Sequence, residues 1–173
     1  MRHLELLMLL LPIVFMLHEY EEIILLKSWS RKHRFTLRRR FPRLEFFLSR
    51  QGLFACSTAA FAAATAYEFL VLSSVTFYAV WQGIYAWWFA AFAGHTLHLF
   101  LHLLQGLAYR QYAPFLLTSL LSLPYCIYTF KVFCTAQLLS FSAMLLWGAL
   151  GGVLAFLVLF SALFLMRSLQ RAL

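Results

Sequence analysis

Charged residues are scarce in this chain of 173 residues, at 12% of the total, whereas 64% of the residues are hydrophobic. Soluble domains have about 25% charged and about 45–50% apolar residues. This composition leaves little room for a soluble domain. It predicts a multi-pass membrane protein whose chemistry takes place at or within the bilayer.

The alternating pattern of a membrane β-barrel strand is missing, since the apolar runs are continuous. Backbone groups in lipid must be hydrogen-bonded within the protein, which leaves helices as the remaining solution. We therefore expect an all-α fold, a polytopic membrane helical bundle forming a single integral-membrane domain. Five runs approach or exceed the length of about 20 residues that a spanning helix needs, at about 4–26, 53–73, 77–108, 114–133 and 138–166.

Two motifs common in secreted proteins are also absent. The three cysteines, Cys56, Cys126 and Cys134, show no C-x-x-C spacing and lie in or beside apolar runs. We expect inert thiols rather than a disulfide framework or a zinc knuckle. The first apolar run has no small-x-small cleavage site, so we expect it to be retained as a helix.

Positive charge is present, with a net charge of +8, but most of it lies in the segment 27–50. We expect this segment to be a basic cytoplasmic loop that contacts lipid headgroups, with 41–48 as a short interfacial helix, and we expect no nucleic-acid partner. Arg110 and Arg167 fall on the same side of a five-span bundle. The positive-inside rule then predicts an outside N-terminus and a cytoplasmic C-terminus, in what we expect to be a bacterial cytoplasmic membrane.

Against this apolar background, the first run contains the sequence HEYEE at positions 18–22. A charge at membrane depth costs about 2.5–3.5 kcal/mol, so such a cluster needs partners, water or a metal. His18, Glu21 and Glu22 are spaced i, i+3 and i+4, which places them on one helical face. We expect Glu19 and Tyr20 to point away from the centre of that face.

A second polar stripe lies on the third predicted helix, where His95, His98 and His102 are spaced i, i+3 and i+7. A helical rise of about 1.5 Å per residue places the two stripes at overlapping depths, with Glu68 level with His95. We expect Glu21, Glu22 and Glu68 to be catalytic carboxylates. The predicted metal ligands are His18, Glu21, Glu22, His95, His98 and His102, with Glu68 and His95 as further ligands or as partners of the ligands.

Imidazole and carboxylate together favour first-row metals, and glutamates combined with Glu-x-x-His bind paired iron or manganese in helical bundles. We therefore expect one or two divalent ions of zinc, iron or manganese. The zinc-protease helix His-Glu-x-x-His matches less well, because Glu22 stands at the position of its second histidine.

The motif resembles that of the HXXEE family of membrane proteins, whose defining positions are here His18, Glu21 and Glu22. The resemblance implies a further histidine on a later helix, for which the three histidines of the third predicted helix are candidates. The family has no established reaction, so the resemblance implies a polar site rather than an activity.

The family pattern also includes Tyr-x-Pro-Gly. Here Tyr112, Ala113 and Pro114 match that pattern, but Phe115 replaces the glycine. The resemblance thus extends from the first predicted helix to the fourth. The departure concerns the turn that follows the third predicted helix.

These features predict a metal-dependent membrane enzyme, a hydrolase or an oxidoreductase, that acts on a lipid or another apolar substrate. A spare glutamate would act as the general base. The same residues are compatible with a proton or metal-ion transporter or channel, with haem binding between two histidines, and with an accessory membrane subunit. The expected partners are membrane lipids, and Gly148 and Gly152 form a helix-packing motif that would support a homo-oligomer.

Overall fold

The computed structural model describes residues 3–172 as six helices and shows no strand within that range. The helices are α1 (His3–Arg40), α2 (Pro42–Arg50), α3 (Thr58–Gln82), α4 (Tyr85–Tyr109), α5 (Leu116–Thr135) and α6 (Phe141–Ala172). The all-α prediction is confirmed. Three helices, α3, α5 and α6, are long and apolar enough to cross a membrane, which suggests a membrane protein without setting the number of spans at five.

The first helix is longer than predicted. It was expected to end at residue 26, but α1 continues to Arg40, and α2 follows directly after Phe41. The segment 27–50 is therefore helical rather than a loop. Between residues 27 and 41 there is no glycine or proline to stop the helix, and Pro42 begins α2, where its missing N–H group costs nothing. The predicted interfacial helix at 41–48 corresponds to α2.

The break between α3 and α4 lies later than predicted. Residues 74–76 were expected to separate the two helices, yet they belong to α3. The hydroxyl of Ser74 donates a hydrogen bond to the Leu70 carbonyl within the helix, at 2.7 Å. The helix ends at Gly83, whose φ of 68° is left-handed. Glycine adopts this conformation without a steric penalty because it has no Cβ atom.

An aromatic layer fixes α4 within the bundle. The Trp88 ring stacks on Phe92 and on Phe133 of α5, with ring centroids 5.1 Å apart in both pairs. Its indole N–H donates a hydrogen bond to the Met8 carbonyl of α1 at 3.1 Å. Both α1 and α5 are thereby held against α4, and this contact sets the rotation at which α4 presents its histidines.

The backbones of α4 and α6 touch at two glycines. A Cβ atom on Gly151 would lie 2.0 Å from the Ala90 carbonyl oxygen, and one on Gly94 would lie 2.8 Å from the Gly151 carbonyl oxygen. Small residues allow helices in a membrane protein to approach this closely. The interface therefore depends on glycine at both positions.

Gly148 and Gly152, predicted to support a homo-oligomer, lie on this same face of α6. The nearest side chains to a Cβ atom at each position would be Ala93 at 3.9 Å and Leu97 at 3.2 Å, both on α4 of the same chain. The motif thus packs within the chain. A homo-oligomer remains a prediction, and it would need another surface.

One end of the bundle collects most of the basic residues. The Arg40 guanidinium donates a hydrogen bond to the Tyr109 carbonyl at 3.0 Å, which joins the end of α1 to the turn after α4. Arg34 binds Glu45 of α2, also at 3.0 Å. The hydrogen bonds from Arg34 and Ser49 lower the pKa of the Glu45 carboxyl. These contacts fold α2 back on α1.

Replacement of Gly151 by alanine should destabilise the protein. The added methyl group would overlap the Ala90 carbonyl and separate α4 from α6, a kind of overpacking that costs about 1–3 kcal/mol. The measurement is thermal unfolding in detergent, with Gly148→Ala as the matched control. At Gly148 the nearest atom is 3.9 Å away, and alanine gains up to about 1 kcal/mol in helix propensity. Equal unfolding temperatures for the two variants would contradict the described packing.

Candidate metal centre

Three histidine rings from two helices meet at their Nε2 atoms. The Nε2 atom of His18 on α1 lies 3.3 Å from that of His98 on α4, and the latter lies 2.9 Å from the Nε2 atom of His102. In a neutral imidazole, each nitrogen carries either one proton or one lone pair. His98 Nε2 can therefore form a well-aligned hydrogen bond with only one of its two neighbours. Convergence of this kind is typical of nitrogen atoms that bind one cation.

Glu22 adds a carboxylate to these three histidines, and we call the four side chains the metal-ligand group. The Oε1 atom of Glu22 lies 3.1 Å from His102 Nε2, yet this buried oxygen accepts no hydrogen bond within residues 3–172. An unsatisfied buried acceptor costs about 1–3 kcal/mol. Ligand atoms of His18, Glu22, His98 and His102 all lie within 4.8 Å of one another. These four side chains therefore fit a metal ion, which would satisfy the Glu22 oxygen and the three nitrogens together.

Glu19 is a neighbour that the sequence reasoning placed away from the site. Its side chain is buried, with 4% of the residue exposed, and its Oε1 atom lies 3.6 Å from His98 Nε2. The signal was present in the sequence, because positions 19 and 22 are spaced i, i+3 and therefore share a helical face. Glu19 supplies a second carboxylate beside the group.

Glu21 has a different position from its neighbours in the motif. Its Oε2 atom accepts hydrogen bonds from the backbone N–H of Thr118, at 2.8 Å, and from the Thr118 hydroxyl. Its Oε1 atom accepts one from the Tyr112 hydroxyl. Thr118 lies in the first turn of α5, whose N-cap residue Phe115 makes no side-chain cap. Glu21 of α1 therefore caps α5, where the free N–H groups and the helix dipole favour a carboxylate.

The same threonine sets the tautomer of His18. The Thr118 hydroxyl donates to Glu21, so it accepts a hydrogen bond from Nδ1 of His18, at 3.0 Å. With the proton on Nδ1, the neutral His18 ring presents the lone pair of Nε2 to the group. Partners of this kind orient the histidine ligands of metal sites.

His102 is oriented in a similar way. Its Nδ1 atom lies 3.3 Å from the side-chain oxygen of Gln105, an acceptor, so Nε2 of His102 also carries a lone pair. Two lone pairs and a carboxylate oxygen thus point into the same small volume. Their mutual repulsion would be relieved by a cation.

His95 and Glu68, both predicted site residues, lie beside the group rather than in it. Both ring nitrogens of His95 are buried and have no hydrogen-bond partner within residues 3–172. The centroid of the His95 ring is 6.4 Å from that of His18. Together with His98, the two residues line a cavity of about 350 Å³ between α3, α4 and α6. The polar residues of the predicted site therefore fall into three sets: the metal-ligand group, the residues that line the cavity, and Glu21, which was predicted as a ligand but caps α5.

The turn after α4 makes contacts with the site that the sequence did not predict. The Phe115 ring stacks on His102, with ring centroids 4.4 Å apart, so the residue that departs from the Tyr-x-Pro-Gly pattern packs on a candidate ligand. Tyr112, which the sequence marked only as the first residue of that pattern, donates a hydrogen bond to Glu21. Partial burial, and then the Glu21 carboxylate, raise the Tyr112 pKa to about 12, which keeps the phenol protonated as a donor. No sequence pattern marked Thr118.

Replacement of Thr118 by valine should weaken metal binding without removing a ligand. His18 Nδ1 would lose its acceptor, and loss of such a partner typically costs about 10–100-fold in metal affinity. The measurement is competition for the bound metal by a chelator of known affinity. Thr118→Ser is the matched control, because it keeps the hydroxyl. Equal metal affinity in the two variants would contradict the proposed orientation of His18.

Comparison with known families places the candidate centre within a matched segment of the chain. A family model described as "Protein of unknown function with HXXEE motif" matches residues 9–129. No curated protein and no solved structure gave a match. The matched range includes the motif on α1, the histidines of α4 and the first turn of α5, which together form the candidate centre. The chain belongs to the HXXEE family.

Proposed function

We propose that this protein binds a transition metal within a membrane and is a metal-dependent enzyme that acts on a lipid or another apolar substrate. The observation that carries the proposal is the convergence of ligand atoms from His18, Glu22, His98 and His102 within 4.8 Å. The unsatisfied Glu22 oxygen and the oriented His18 ring support it. A purely structural polar cluster would need neither feature.

The spacing of the ligand atoms supports a single ion. Metal–nitrogen bonds of about 2.0–2.1 Å in a tetrahedral site place neighbouring ligand atoms about 3.3 Å apart. The His98 Nε2 atom lies 3.3 Å from that of His18 and 2.9 Å from that of His102, and all the ligand atoms lie within 4.8 Å of one another. Three imidazoles and one carboxylate suit zinc, iron or manganese.

The arrangement of the helices supports five membrane spans, formed by α1, α3, α4, α5 and α6, with α2 at the interface. Arg40 at the end of α1 contacts Tyr109 at the end of α4, and Gln170 near the end of α6 accepts a hydrogen bond from Ser57 before α3. Basic residues thus gather at one end of the bundle. The positive-inside rule places this end in the cytoplasm and the N-terminus outside.

A metal at this centre would polarise a bound water or oxygen molecule. The chain contributes the remaining parts of the mechanism. Glu19 lies within reach of the centre, 3.6 Å from His98 Nε2, and is placed to accept a proton as the general base. Glu22 holds the metal, and Glu21 positions His18 through Thr118. Glu68 faces the cavity and would exchange protons with a substrate there.

Replacement of His18 or His98 by alanine should remove the metal while the bundle still folds. Each variant deletes one of four ligands, and the remaining three donors no longer enclose the ion. The measurement is elemental analysis of protein purified in detergent without a chelator. His33→Ala is the matched control, because His33 is also on α1 but binds the Trp29 carbonyl instead. The identity of the metal would then separate hydrolytic from oxidative chemistry.

Full metal occupancy in His18→Ala would refute the proposed centre. If the wild-type protein contained no metal and carried protons or metal ions across proteoliposome membranes, the function would be that of a transporter rather than an enzyme. Stoichiometric metal without flux, lost in both histidine variants and retained in His33→Ala, is the result we expect.

A further inference from the structure

The cavity between α3, α4 and α6 has the composition of a site for an apolar molecule. Its volume of about 350 Å³ falls at the lower end of the range of about 300–1,000 Å³ that small-molecule sites occupy. Apart from Glu68, His95 and His98, the residues that line it are aliphatic, aromatic or glycine. A volume of this size suits a single hydrocarbon chain rather than a two-chain lipid.

The mouth of the cavity opens on the apolar surface of the bundle. Leu97, Leu101 and Phe156 line it and are 44%, 47% and 60% exposed. These side chains lie on α4 and α6, on the outer surface that the proposed membrane arrangement places in lipid. A ligand would therefore enter sideways from the bilayer and would not have to cross a polar surface.

The inner wall of the cavity contains a polar side chain without a hydrogen-bond partner among the described residues. His95 is 6% exposed, lines the cavity, and leaves both ring nitrogens without a hydrogen-bond partner among the described residues. His98, one of the candidate metal ligands, lines the same cavity one helical turn further along α4. A ligand with an oxygen at its end would satisfy His95 and come next to the metal centre.

We propose that this cavity binds the hydrocarbon chain of a single-chain lipid whose oxygen-bearing end group is hydrogen-bonded by His95 and held beside His98. This inference rests on the proposed function and names its substrate class. It assigns His95 to substrate binding, whereas the sequence alone predicted a metal ligand. His95 is then the residue that distinguishes a lipid with a polar end from a plain hydrocarbon.

The position of the lipid's hydrocarbon chain is tested with a hexadecanol probe that carries a photoreactive diazirine on its hydrocarbon chain. The probe is added to the metal-loaded protein in detergent, and labelled peptides are identified by mass spectrometry. We expect labelling of cavity residues on α3 and α6. Val71→Phe, which fills the cavity, should reduce this labelling about tenfold. Val153→Phe is the matched control, because Val153 is 58% exposed and does not line the cavity.

The role of His95 is tested with a second probe, the corresponding hexadecane, which lacks the hydroxyl group. Wild-type protein should be labelled more strongly by the alcohol than by the alkane. His95→Phe should abolish this preference, and His95→Gln should retain it because the amide offers both a donor and an acceptor. A merely structural role for His95 would change labelling by both probes equally.

The outcomes separate this inference from the proposed function. Normal metal content with labelling that is unchanged in Val71→Phe, or that is spread over the outer surface, would overturn the cavity site alone. An equal response to both probes in wild type and His95→Phe would overturn the role of His95. Full metal occupancy in His18→Ala would instead refute the metal centre, whatever the labelling shows.

Discussion

The hydrogen-bonded connection from Glu21 through Thr118 to His18 is the interaction on which the rest of the site depends. One carboxylate on α1 caps the first turn of α5 and at the same time fixes the proton of His18 on Nδ1. Without it, the Thr118 N–H in the first turn of α5 would lose its hydrogen-bond acceptor. In the proposed metal centre, the HXXEE motif therefore combines two different tasks, metal ligation by His18 and Glu22 and the positioning of His18 by Glu21.

The position of α4 links the candidate metal centre to the cavity. The aromatic layer around Trp88 holds α4 against α1 and α5, and the glycine contact at Gly94 and Gly151 holds it against α6. Rotation of α4 about its axis would break both the Trp88 contacts and the glycine contact, so the two together fix its orientation. His98 consequently belongs to both the metal-ligand group and the cavity wall, and His95 faces the cavity from one turn away.

Much of the site could be predicted from the sequence because helical periodicity is a local property. The spacing of His18 with Glu22, and of His98 with His102, placed each pair on one face, and membrane depth placed the two faces at the same level. Glu19 could have been included on the same reasoning. Thr118 and Phe115 could not, because a threonine or a phenylalanine in an apolar helical protein carries no sign of the partner that it will contact.

The sequence by itself determined the all-α fold, the family and the set of polar residues that had to be buried together. Charged groups in an apolar chain are costly unless they contact one another or another polar partner. Only the tertiary structure decided which of those residues converge. The rotation of each helix depends on contacts far apart in the chain, such as Trp88 with Met8 and Gly151 with Ala90. These rotations turned Glu21 towards α5, His95 towards the cavity and Gly148 towards α4, because side-chain direction at an interface is set by packing and not by spacing alone.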